Sequence, residues 1–271
     1  MKIISRIRSL LTAGQSGIVL TSVEPEAAID EIAVEVGERA SSENPEDRWT
    51  VNFWGMATGL TDELGRPISL QAGGNSNASL LGDSPQKAPR MPLHSVMDMF
   101  IDMAADRISR EENGQSTEED NVHVILVARN FDRVLMPSGS QGPVDPMLLA
   151  QTQEFLKLGP PSRFVLVMQT TPEFDLPPEL VVHCEYVKHE LPSEEEREET
   201  IKELSDLDSK TLPLVLSATA GLSRAKTTQY VAETLARCGY VDPASVFRMK
   251  ADHLARSSKL DVWSPQFVQQ T

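Results

Sequence analysis

Cysteine is scarce: Cys184 and Cys238 are the only two in 271 residues. Neither stands in a CxxC, and no Cys/His cluster has zinc-ligand spacing. This excludes a disulfide framework and a structural zinc site. Cys184 lies in an apolar run and Cys238 at the end of a predicted helix, so both are expected as buried thiols rather than ligands. Positive charge is also short, with 25 Lys and Arg against 40 Asp and Glu, a net charge of −15. Such a chain repels phosphate backbones and anionic lipid, which argues against nucleic acid or a membrane surface as partner. No apolar run approaches the ~20 residues of a membrane span. Arg8 interrupts the apolar stretch that a secretory leader would need after Met1. The expected compartment is the cytosol.

Apolar residues make up 40 % of the chain, enough for a real core. Ile3, Ile4, Ile7, Leu10 and Leu11 have helical spacing, stopped by Gly14. Ile18 to Val23 reads as a buried strand. Pro25 then opens a helix whose apolar stripe is Ala28, Ile29, Ile32, Ala33 and Val36. Trp49 to Trp54 alternates as a strand, and strand–helix–strand in this order implies a parallel sheet. Residues 55–92 are rich in Gly, Pro, Ser and Asn and read as a long flexible insertion, with a short hairpin near Gly65-Arg66-Pro67. Helical spacing returns at Val96, Met97, Phe100, Ile101 and Ala104. An acidic loop over 111–120 leads to a strand at Val122–Val127. A helix over 145–158 is expected to end at Gly159-Pro160-Pro161, followed by a strand at Phe164–Met168 and another beginning at Leu180-Val181-Val182. After Pro192 the pattern is all helical, over 193–206, 210–219, 223–238 and 242–257. Ser193 and Glu196 form a capping box at its start. The tail, 259–271, reads as extended.

Chemistry-bearing groupings are missing as well. The loop after the first strand, Thr21-Ser22-Val23-Glu24-Pro25-Glu26, has neither the glycines nor the lysine of a phosphate-binding loop. No Gly-Lys pair occurs anywhere in the chain. Pro25 removes one N–H donor, and Glu24 and Glu26 put negative charge where phosphate would sit. The strand at 122–127 ends in Ala128-Arg129-Asn130-Phe131-Asp132, without the paired acids that hold magnesium. Asp132 is expected to serve a turn or a helix cap. Gly139-Ser140-Gln141-Gly142 lacks the spacing of a nucleophile elbow. His94, His123, His183, His189 and His253 are scattered. His123 and His183 are expected within strands, as ordinary core or face histidines. No residue is assigned a catalytic, cofactor-binding or metal-binding role.

Taken together, several segments resemble AAA ATPases. Val122–Val127 resembles the strand of the second acidic motif, and Phe164–Gln169 the sensor strand. Leu176-Pro177-Pro178-Glu179-Leu180 resembles the family's proline step. His189 to Arg197 resembles the start of the helical lid, and Gly221-Leu222-Ser223-Arg224-Ala225 the start of the lid's sensor-two helix. The segments from Ile7 to Leu20 and from Arg256 to Trp263 are similar to the two ends of one group. That group is the degenerate, nucleotide-free N-terminal domain of AAA ATPases encoded in plastid and cyanobacterial genomes and their bacterial and phage relatives.

The resemblance covers nearly the whole chain outside 55–92 and 110–120. It implies a three-layer, P-loop-like parallel sheet flanked by helices over 1–190, a small all-helical lid domain over 191–258, and a tail or linker over 259–271. The implied function is that of a non-catalytic assembly or regulatory domain of an AAA ATPase. Its partners would be copies of itself in a ring, an attached ATPase domain, or another protein. The chain itself would take no cofactor, with ATP and magnesium confined to an ATPase domain beyond Thr271. A stand-alone adaptor of the same fold and an active ATPase with an atypical phosphate loop are the alternatives. In the family a basic residue at Arg224 reaches the nucleotide. Without phosphate, its uses are a solvent-exposed arginine or an ion pair with Glu24 or Glu26.

Overall fold

The computed structural model describes residues 3–39, 48–62, 64–68, 91–138 and 142–257. The tail at 259–271 and the Gly139-Ser140-Gln141 stretch lie outside them, as do residues 69–90 of the expected insertion. The chain divides into two compact units, Met1–His189 and Glu190–Thr271.

In the first unit the described helices and strands run α1 (Ile3–Thr12), β1 (Gly17–Ser22), α2 (Pro25–Arg39), β2 (Trp49–Gly55), β3 (Gly59–Thr61), α3 (Leu93–Glu112), β4 (His123–Ala128), α4 (Phe131–Leu135), α5 (Pro146–Ser162), β5 (Phe164–Thr170), α6 (Pro178–Val181) and β6 (Cys184–His189). The strands form one sheet in the order β3-β2-β4-β5-β1-β6. All neighbours are parallel except β2 and β3. The central strands are nearly continuous apolar runs because both faces are covered. Val19, Leu126, Leu166 and Met168 point into one layer, packed by α3, α4, α5 and α6. Ile18, Leu20, Ile125, Val127, Val165 and Val167 point into the other, packed by α1 and α2. This is a three-layer, mostly parallel α/β fold.

The second unit contains α7 (Glu194–Leu204), α8 (Thr211–Thr219), α9 (Arg224–Cys238) and α10 (Pro243–Ser257) around a separate core that includes Ile201, Val215, Tyr230, Val231 and Val246. The capping box at Ser193 and Glu196 is formed: Glu196 N–H donates to Ser193 Oγ at 3.3 Å, and Ser193 N–H donates to Glu196 Oε2 at 2.8 Å. Gly239, at φ +76°, closes α9 in the left-handed conformation.

Several local expectations need correction. The segment at Leu180-Val181-Val182 is not a strand. It is the single turn α6 and its exit, and the strand begins at Cys184. His183 therefore precedes β6 rather than lying in it. Cys184 is buried but Cys238 is exposed at the end of α9. Part of the 55–92 region extends the sheet. β3 folds back on β2, and Thr61 pairs with Pro67 around a turn in which Asp62 accepts from the Leu64 and Arg66 amides. α3 runs on to Glu112, into the expected acidic loop.

α5 does not stop at Gly159. It continues through Pro160 and Pro161 to Ser162. Pro160 has no N–H to offer the Leu156 carbonyl, which would be left unmet in a buried helix. Ser16 Oγ donates to that oxygen at 2.9 Å, so a hydroxyl from the lead-in to β1 replaces the missing bond. The approach requires glycine at 159: a Cβ there would collide with Ser16 Cβ and lie 2.7 Å from the Phe164 carbonyl oxygen.

At the other end of α3, Arg107 is buried. It donates to the carbonyls of Val122 at 2.9 Å and Ser162 at 3.0 Å, and it stacks 4.9 Å from the Phe164 ring centroid. Asp120 holds the set together, accepting from Arg110 at 2.6 Å and lying 3.4 Å from Arg107 Nε. The Arg110 bond, followed by the Thr117 amide, holds the Asp120 carboxyl well below the usual carboxylate range.

Gly159→Ala is expected to cost about 1–3 kcal/mol by overpacking, and Ser16→Ala about 1–3 kcal/mol by orphaning the Leu156 carbonyl, both read from urea midpoints. Asp120 contributes stability that is complete above the unfolded carboxyl pKa of ~3.9 and is lost as pH falls. Asp120→Asn should therefore flatten the acid limb of the stability profile, with a change of at most about 1.4 kcal/mol per pH unit for this one group.

Candidate functional site

In an open parallel sheet, ligands bind outside the carboxyl ends of the strands, where successive connections leave in opposite directions. Here that place lies between β1 and β5. From β1 the chain crosses toward β2, and from β5 it crosses to β6 on the other side of β1. The residues at these strand ends are Ser22 to Glu26 after β1, Arg129 to Asp132 after β4, Gln169 to Thr171 at the end of β5, and His189 at the end of β6.

They are engaged with one another. Ser22 Oγ accepts the Glu24 amide at 2.9 Å and stands 2.8 Å from His189 Nδ1. His189 Nε2 is 3.4 Å from Glu31 Oε1 on α2. Ser22 and His189 are both buried, so the start of α2 is tied to the end of β6. One backbone N–H that could otherwise meet an anion at this turn is spent on Ser22. Arg129 reaches Glu26 with Nη1 at 3.1 Å, and its guanidinium lies 5.7 Å from the Phe53 ring centroid. The Glu26 side chain is largely exposed, 74 %, so screening keeps the pair's contribution small, about 0–1 kcal/mol.

Asp132, expected to serve a turn or a helix cap, does not cap α4. It lies in the first turn of α4, buried, and Oδ2 accepts from Thr171 Oγ1 at 3.0 Å. Its Oδ1 and the Thr170 hydroxyl have no hydrogen-bond partner among the described residues. The position before α4 is Asn130, in the left-handed conformation at φ 51°, with its amide donating to Gln169 Oε1 at 2.8 Å. Asn tolerates that backbone better than most residues.

In the helical unit, Arg224 Nη2 meets Glu196 Oε1 at 2.9 Å, so the capping-box glutamate carries two tasks. Glu26 and Arg224 thus each have an ion-pair partner inside their own unit. Among the described residues no group of three or more His, Cys, Asp or Glu side chains could hold a metal ion. None of their helices is long and apolar enough to cross a membrane.

The histidine reading missed two networks. Ser22, His189 and Glu31 come from three separate elements, while His94 at the head of α3 meets Asp145 and Gln151, which share the start of α5. No sequence spacing links either set. The one available signal was the position of Ser22 at the end of the predicted first strand.

No protein-family model matches the chain, and no curated protein does. Among solved structures, it is similar to Rhizobiales Trip13, with 11 % identity, TM-score 0.49, and coverage of 94 % of this chain and 77 % of that one. It is similar to a chain of the E. coli MS115-1 HORMA:CdnC:Trip13 complex, with 12 % identity, TM-score 0.48, and coverage of 96 % and 79 %. It is similar to C. elegans PCH-2, with 8 % identity, TM-score 0.48, and coverage of 95 % and 69 %. At such identities and scores these are likenesses of outline, and they bring no residue role with them.

Thr171→Val is expected to strand the second oxygen of a buried carboxylate and to cost about 1–3 kcal/mol in chemical denaturation. Glu26→Ala should change stability by less than ~1 kcal/mol.

Proposed function

We propose that this chain is a non-catalytic, AAA-like assembly or regulatory domain that works by packing against other protein, either copies of itself in a ring or an ATPase domain. The observation that carries the reading is the state of the β1–α2 junction. Its turn has no glycine and no lysine, Pro25 lacks an N–H, and Glu26 places a carboxylate there that Arg129 meets at 3.1 Å. A triphosphate needs converging N–H donors and cations, and it would be repelled by Glu24 and Glu26. The residues present therefore do not fit ATP with magnesium, and no hydrolytic step is derived for them. The six-stranded sheet followed, among the described residues, by four helices agrees with the architecture that the resemblance implies. A net charge of −15 favours a partner surface that carries basic groups.

Calorimetric titration with ATP and magnesium tests the first half of the proposal. No heat of binding is expected up to millimolar nucleotide, and a micromolar dissociation constant would transfer the chain to the active ATPases. Sedimentation velocity tests the second half: association with itself, or with an ATPase domain supplied in trans, is expected. A chain that stays monomeric in both experiments would contradict the assembly role.

A further inference from the structure

An open sheet ends in two strands whose outer N–H and C=O groups have no ladder to join. The two ends of this sheet differ. β3, at one end, is three residues long, and the chain folds back over it: Thr61 pairs with Pro67, and the Ile68 amide donates to the Leu60 carbonyl at 3.0 Å. β6, at the other end, is six residues long and pairs with β1 in unbroken parallel register. Alternate residues of a parallel strand turn their N–H and C=O groups to opposite sides. The set that faces away from β1 meets no strand among the described residues. β6 contains no bulge and no proline, and of the devices that blunt an edge it carries one lysine, Lys188.

Apolar groups stand exposed beside this edge. Val182, on the turn that enters β6, is 78 % exposed, and Tyr186, on the strand, 45 %. Tyr186 lies on the same face of the strand as Cys184. The Leu176 amide donates to the Tyr186 hydroxyl at 3.4 Å, which sets the lead-in to α6 beside the ring. The charges there are mainly acidic. Asp175 on that lead-in, Glu179 on α6 and Glu185 on β6 are all exposed, against Lys188 and against Arg6, which stands 3.8 Å from Glu185.

We propose that β6 accepts an extended segment of another protein as a further strand, and that this segment alternates apolar and basic residues. Its main chain joins the open side of β6, its apolar residues cover Tyr186 and Val182, and its Lys or Arg side chains meet Asp175 and Glu179. A second copy of this chain is the poorer donor at this edge, because each copy carries a net charge of −15. The inference rests on the assembly reading above and names the chemistry of one partner.

The test titrates the full chain with a fluorescein-labelled peptide that alternates lysine and valine, followed by anisotropy. One control peptide has alternate backbone nitrogens methylated, which keeps its charge and side chains but removes the donors on one side. A second replaces every lysine with glutamate. The parent peptide is expected to bind, the methylated one at least about tenfold more weakly, and the glutamate one not at all. In NMR spectra the parent should shift the amides of β6 and leave those of β3 in place. Val182→Lys, at an exposed position, should weaken the parent about tenfold by like charge and lost apolar cover. Equal binding of the parent and methylated peptides would mean attraction by charge alone and overturn the proposal. No binding at millimolar peptide, or shifts confined to other elements, would overturn it too. Self-association abolished by Val182→Lys would make a second copy the occupant and also overturn it. A chain that associates with an ATPase domain yet ignores the peptide overturns the edge alone and leaves the assembly role standing.

Discussion

A parallel strand has no exposed side, and the first unit is organised by that requirement. β1, β4 and β5 are apolar on both faces, so helices must cover both, and each crossover must carry a helix from one strand end back to the next start. The chain meets the requirement unevenly. α3 and α5 form a broad cover on one face, and α1 and α2 a smaller one on the other. What remains outside the covers is the carboxyl rim of the sheet. Polar residues, Ser22, Gln169, Thr171 and His189, are collected there.

The rim also shows how polar groups at the carboxyl ends of parallel strands are satisfied by one another. Buried polar atoms need partners. At the β1–α2 turn those partners are internal: a serine hydroxyl for an amide and a histidine for the hydroxyl. Such a turn is held in shape by bonds that a phosphate ligand would have to displace.

Much of this was legible in the sequence. Strands β1, β4 and β5 are marked by branched apolar runs, and α7 by Ser193 and Glu196 at capping-box spacing. Most of what was not legible has one physical cause, a deciding partner far away in the chain; at Leu180 to Val182 the deciding prolines are neighbours. Pro160 and Pro161 read locally as a stop, yet Ser16 makes a longer helix tolerable. Leu180 to Val182 have strand composition, yet Pro177 and Pro178 set them into a single helical turn ahead of β6. Asp132 reads locally as a cap, yet Thr171 takes it inside. The histidines showed no local pattern because their partners sit on other elements.

The bond between Ser16 and the Leu156 carbonyl joins residues 140 positions apart. The last turn of α5 is therefore a late structure in time as well as in sequence. During synthesis β1 emerges early but has no neighbour, since its partners in the sheet are β5 and β6. The final turn of α5 stays short of one bond until β1 docks and brings Ser16 with it. Closing a loop of that length is slow compared with forming the helix itself. The hydroxyl thus makes completion of a local element conditional on assembly of the whole sheet, a form of cooperativity carried by one side chain.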